Sequence, residues 1–192
     1  MENIRVKNLL ISKQVEDPTN FQKCIEIAKE KKINIIVLEG GNRINIERGI
    51  FFDVLWPDSK NIINENALNN NSIVCKFYYK KFSMLFTGDI EEIAERNILD
   101  QNIKHPEILK SDILKIAHHG SKTSSIQDFI VAVNPKVALI GVGKNNNFGH
   151  PSIDVINRLE KNGIKIYRTD KDGEISIKVN KNGDFKINKF KH

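Results

Sequence analysis

Short aliphatic or β-branched runs alternate with stretches of helical period along this chain, and that alternation limits the fold more than any other feature. Residues 8–11 read as a strand and 18–32 as a helix opening at Asp17-Pro18. Within that helix Phe21, Cys24, Ile25 and Ala28 form one apolar stripe. Residues 33–38 have the few polar breaks of a strand covered on both faces. Gly40-Gly41 turns the chain into a hairpin of 43–47 and 49–56. Residues 57–71 are polar and Asn-rich, the longest loop expected. A second hairpin, 72–79 and 82–87, closes at Lys80-Lys81. Helices follow at 91–101, 126–133 and 151–161, the last stopped by Asn162-Gly163, with strands at 112–117 and 136–142. Strands at 164–168, 174–179 and 185–190 end the sequence, with turns at Asp172-Gly173 and Asn182-Gly183. The order predicts one α/β unit of mixed sheets with helices outside.

Composition excludes several classes. At 192 residues, 40% apolar and 28% charged, the chain can bury a core and is not a disordered polymer. No run reaches the roughly 18 apolar residues of a membrane span. Met1-Glu2-Asn3-Ile4-Arg5 lacks a signal-peptide layout, so a cytoplasmic location is expected. Cys24 and Cys75 sit far apart in apolar segments, which argues for buried thiols rather than a disulfide scaffold or cysteine zinc site. The net charge of +6 suits a polyanion such as DNA. Because Lys dominates the basic residues and Asn is abundant, compositional bias explains the same charge equally well.

Residues able to do chemistry cluster where strands end. Phe86-Thr87-Gly88-Asp89 carries an apolar strand into a carboxylate; Asp89 suits either a cleft or the cap of the next helix. Residues 112–121 run from a strand into Ala117-His118-His119-Gly120-Ser121, where adjacent imidazoles diverge, one toward metal and the other toward substrate, or form a structural pair. In Phe148-Gly149-His150-Pro151 an imidazole precedes a helix start, either as part of an anion site or as a plain loop histidine. His105, in a Lys-His-Pro turn, and the terminal His192 are expected in solvent. Asn70-Asn71-Ser72, before a strand, reads as turn chemistry.

Taken in order, Asn70-Asn71-Ser72, Phe86-Thr87-Gly88-Asp89, Ala117-His118-His119-Gly120-Ser121, Gly149-His150-Pro151 and Tyr167-Arg168-Thr169-Asp170 with Gly173 resemble one family. That family is the metallo-β-lactamase-fold domain at the C-terminus of ComEC-type competence DNA-internalisation proteins, and the resemblance covers roughly residues 8–180. It implies a four-layer αββα sandwich with a metal cleft at one sheet edge. It further implies Asp89 and His119 as ligands of a divalent metal, zinc or manganese, with His118 a further ligand or a substrate contact. His150 and Lys122 would stabilise phosphate, with Ser121 and Asn71 also at the substrate, and Asp89, His119 and His150 would form the catalytic set. The superfamily's His-x-His-x-Asp-His signature is absent, and no histidine precedes His105. The resemblance therefore implies a chain that begins just downstream of that signature, N-terminally truncated relative to the whole domain, while catalytic zinc usually takes three protein ligands. The expected activity is a metal-dependent phosphodiesterase or nuclease in DNA uptake, membrane-associated if joined to a channel. The alternatives are a non-catalytic half-domain completed by an N-terminal segment or channel partner, and a basic nucleic-acid-binding module.

Overall fold

The computed structural model describes residues 4–13 and 19–190. The Asp17-Pro18 helix opening and His192 lie outside the described residues. β1 (Asn8–Ser12) and β2 (Asn34–Leu38) form a two-stranded parallel sheet, linked through α1 (Thr19–Glu30). The predicted stripe of α1 is its least exposed face, with Ala28 buried and Phe21, Cys24 and Ile25 half-buried.

Seven further strands make one mixed sheet in chain order. β3 (Arg43–Glu47), β4 (Ile50–Trp56), β5 (Val74–Tyr79) and β6 (Phe82–Phe86) run antiparallel, as the two predicted hairpins require. β7 (Ile113–Lys115), β8 (Val137–Ile140) and β9 (Lys165–Arg168) continue from β6 in parallel. A short helix, α2 (Ala67–Asn70), interrupts the expected 57–71 loop, and Trp56 Nε1–H donates to Asn70 O at 2.6 Å to hold it.

Parallel neighbours need crossovers, and α3 (Glu92–Gln101), α4 (Gln127–Val133) and α5 (Ile153–Lys161) supply them. Their apolar faces (Ala94 and Ile98; Phe129, Ile130 and Val133; Val155 and Leu159) bury against Leu85, Leu114, Ile116, Ala138 and Ile140 of the sheet and its tips. A helical turn, α6 (Thr169–Asp172), then leads to β10 (Glu174–Val179) and β11 (Phe185–Phe190), an antiparallel pair. Ile175, Ile177, Val179, Phe185 and Ile187 cover Phe82, Met84, Ile113, Val137 and Tyr167 on the sheet's other face. The architecture is thus mixed α/β, with helices on one face of the large sheet and a small β layer on the other.

Three expectations need correction. The 33–38 run is not covered on both faces: Ile36 and Val37 are 37% and 53% exposed. An apolar run reports what a strand can bury, not which layers are present to bury it. The last long helix begins after Ser152, whose Oγ accepts the Val155 N–H at 3.3 Å, so Pro151 lies outside it. Cys24 and Cys75 are free thiols, half-buried rather than fully buried, and burial pushes the Cys75 thiol up to about 11. No helix among the described residues is long and apolar enough to cross a membrane.

Candidate functional site

Because β6 to β9 are parallel, the loops after their carboxyl ends meet at one sheet edge, where open α/β sheets place ligands. Thr87 Oγ1 donates to Lys115 O at 2.6 Å and ties the tip of β6 to that of β7. Gly88 then turns with φ +56, and a Cβ there would lie 2.6 Å from Ser72 Cβ, so only glycine fits. Ser72 Oγ accepts the Asp89 N–H at 3.3 Å. The cap of α3 is Glu91, not Asp89, which leaves the Asp89 carboxylate, 42% exposed, facing the cleft.

After β7, His118, His119 and Gly120 are all left-handed, with φ of +46, +55 and +82. Two non-glycine residues in that region cost about 1–3 kcal/mol each, a strain characteristic of functional loops. The turn splays the imidazoles apart. His119 Nδ1–H donates to Gly141 O at 2.6 Å, beyond the tip of β8. Its Nε2 lone pair is thereby left 3.6 Å from Asp89 Oδ1. His118 has a different neighbour behind it: its Nδ1 is buried without a hydrogen-bond partner, 3.4 Å from Glu91 Oε1.

His150 arrives from the loop before α5. Asn146 clamps its backbone, Oδ1 accepting the His150 N–H and Nδ2 donating to the His150 carbonyl, both at 2.9 Å. Its ring lies 5.7 Å from that of His118 and stacks on Phe148 at 5.9 Å. Burial first, then the His118 and His119 imidazoles, hold His150 below the ordinary imidazole value. Gly120 locks this loop to the histidine turn: its carbonyl accepts the Ser152 N–H at 2.8 Å, and a Cβ on it would meet Pro151 Cβ at 2.5 Å.

Asp89, His118, His119 and His150 therefore gather at one sheet edge. Lys122 is exposed beside it, on a recess of about 590 Å³ that Glu65, Asn66, Glu91 and Arg96 also line. Ser121 is buried, its Oγ 3.0 Å from Thr123 Oγ1. Asn71 does not face the cleft: it is fully buried, its amide bonded to Ile63 N–H, Ile63 O and Ala67 O at 3.1, 2.8 and 2.7 Å. At the helix start that follows His150, Ser152 Oγ accepts one backbone N–H, that of Val155. His105 is exposed as expected, within 3.3 Å of Glu107.

Two residues escaped sequence reasoning. Glu91 looked like one of several helix-opening acids, yet it is buried against His118. Lys115 sits in an apolar run; its Nζ donates to Ile116 O at 2.8 Å. Burial lowers the Lys115 ammonium from its ordinary value, while the charge of Asp89 pulls it back up.

The mixed α/β chain thus gathers a carboxylate and three imidazoles at the ends of its parallel strands. No family model matches the chain. It is similar to ComE operon protein 3 of Bacillus subtilis strain 168, 32% identical over 188 residues, which is 97% of this chain and 23% of that protein. It is 33% identical over 135 residues to competence protein ComA of Neisseria gonorrhoeae, covering 70% of this chain and 19% of that one. Recombination protein 2 of Haemophilus influenzae is 32% identical over 130 residues, 68% of this chain and 15% of that protein. The chain thus spans less than a quarter of the length of these relatives. It is related in sequence to a segment of ComEC-type competence proteins.

Proposed function

We propose that this chain is a metallo-β-lactamase-type hydrolase domain of a ComEC-related protein, cleaving phosphodiester bonds of DNA during uptake. One observation carries the reading: His119 is pinned through Nδ1 to Gly141 O, with Nε2 directed at Asp89 Oδ1, 3.6 Å away. An imidazole nitrogen and a carboxylate oxygen so placed suit two positions around one divalent ion, whose bonds to such atoms are about 2.1 Å. The order of the motifs and the likeness to competence proteins support the same reading. Among the described residues no group of three or more His, Cys, Asp or Glu could hold an ion. The pair supplies two donors, fewer than the three protein ligands that catalytic zinc usually takes.

Asp89 and His119 would hold the ion, zinc or manganese, which when bound supplies Lewis-acid polarisation and an acidified water. The chain's own residues do the rest. His150, kept toward the neutral form by burial and by its imidazole neighbours, offers a ring nitrogen to a phosphate oxygen. Lys115 and Lys122 place positive charge beside the cleft, and the net charge of +6 favours a polyanion. The full-length context would be membrane-associated, with DNA reaching the cleft from a channel partner.

A second reading has its own observation. Leu10, Ile36 and Val37 expose apolar side chains on β1 and β2. That favours a half-domain that a further segment covers and completes.

Cleavage of labelled single- and double-stranded DNA with Mn²⁺ or Zn²⁺ tests both. The hydrolase reading expects metal-dependent cleavage that Asp89→Asn and His119→Ala each abolish. The half-domain reading expects it only once an upstream segment bearing His-x-His-x-Asp-His is joined. Cleavage that survives both substitutions, or none in either form, overturns the hydrolase reading.

A further inference from the structure

We infer that Glu91 is a positioning residue that orients His118, fixing its Nδ1–H tautomer so that the Nε2 lone pair faces the cleft. The role in catalysis rests on the function proposed above; the orientation does not.

The Glu91 carboxylate is 11% exposed and is held from separate segments. Asn66 Nδ2 donates to Oε2 at 2.7 Å, and Thr123 Oγ1 donates to Oε1 at 2.9 Å. The Glu91 backbone N–H donates to Asn70 Oδ1 at 2.9 Å. The carboxylate is fixed from the α2 loop and from the loop after the histidine turn, on a backbone that α2 holds, so it cannot swing away. One lone pair of Oε1 remains, and 3.4 Å from it lies His118 Nδ1, a buried ring nitrogen with no hydrogen-bond partner.

Buried polar atoms are almost always paired, so this orphan needs explanation. A small ring rotation turns the contact into an Nδ1–H to carboxylate hydrogen bond, and such bonds are often long before substrate binds. The His118 side chain is 24% exposed although Nδ1 is buried. The exposure therefore falls on the rest of the ring, whose centroid lies 6.5 Å from that of His119 and 5.7 Å from that of His150. Gly141 O does the same for His119. Both histidines would then present an unprotonated Nε2 to one cleft, each oriented from behind by an oxygen acceptor.

The test reads the tautomer directly. Long-range ¹H–¹⁵N spectra of the imidazoles are recorded at pH 8.5. Wild-type His118 is expected as the Nδ1–H tautomer, and Glu91→Gln, which keeps an acceptor oxygen, should retain it. Glu91→Ala should return His118 to the common Nε2–H form. Thr123→Val, which removes a structural partner of Glu91 but not the imidazole contact, should leave the Nδ1–H form in place. An Nε2–H tautomer in the wild type overturns the inference without any variant, as does an unchanged tautomer in folded Glu91→Ala. DNA cleavage forms the second arm: Glu91→Ala should lower kcat by about 10–100-fold with KM little changed, and Glu91→Gln should recover most of it. Absence of cleavage in every form defeats the hydrolase reading and leaves the tautomer result standing. Full cleavage by Glu91→Ala defeats the positioning role alone.

Discussion

Gly120→Ala separates a packed site from a loose loop. Gly120 has φ +82, and a Cβ there would lie 2.5 Å from Pro151 Cβ and 3.1 Å from Pro151 Cα. The left-handed backbone costs an alanine about 1–2 kcal/mol. The clash is with a rigid ring and its backbone, so overpacking adds about 1–3 kcal/mol. Loss of unfolded-state freedom returns about 0.4–1 kcal/mol. The net is about 3 kcal/mol, which for a chain this size lowers Tm by about 6–12 °C. Gly149→Ala is the control: φ is +71 but nothing lies within 4 Å of its added carbon, so only about 1 kcal/mol is expected. Urea unfolding followed by circular dichroism measures both. A difference of about 2 kcal/mol between the variants supports the locked junction of the histidine turn and the His150 loop. Equal losses refute it.

Asn71→Ala should cost about 3 kcal/mol in urea unfolding, because three buried hydrogen bonds of about 1 kcal/mol each are lost; a loss below about 1 kcal/mol would return Asn71 to the surface of the cleft. Glu95 offers a pH test. Burial raises its carboxyl from 4.5 to about 7, opposed by the Ser125 and Ile126 N–H groups and by Arg158. A raised acid binds more protons folded than unfolded, so its contribution is fully present below about pH 4.5. It is lost as pH rises to about 7, by about 3 kcal/mol. Glu95→Gln should remove that fall from a urea series across the same range, and parallel wild-type and variant curves would exclude the assignment.

Much of the frame was legible because it depends on local pattern. β8 reads as a strand from Val137-Ala138-Leu139-Ile140 alone, and Gly163, at φ +69, ends α5 where Asn162-Gly163 predicts. Motif spacing likewise singled out Asp89, His118, His119 and His150, which parallel strand ends then bring together. What pattern could not supply was long-range. Whether Ile36 and Val37 are covered depends on neighbouring layers, which periodicity does not encode. Asn71 and Glu91 are polar residues in polar stretches. Their burial follows from where α2 and the Thr123 loop fall in space, and so does the exchange of their expected roles, with Asn71 as scaffold and Glu91 at the imidazole.

Mn²⁺ titrated into ¹⁵N-labelled protein, with paramagnetic line broadening read residue by residue, tests the central claim most directly. It detects binding too weak for calorimetry, as suits a two-residue partial shell. Broadening should begin at Asp89 and His119, spread to His118 and His150, and disappear in both Asp89→Asn and His119→Ala. Broadening centred elsewhere, or unchanged by those substitutions, would contradict a metal site at the ends of the parallel strands.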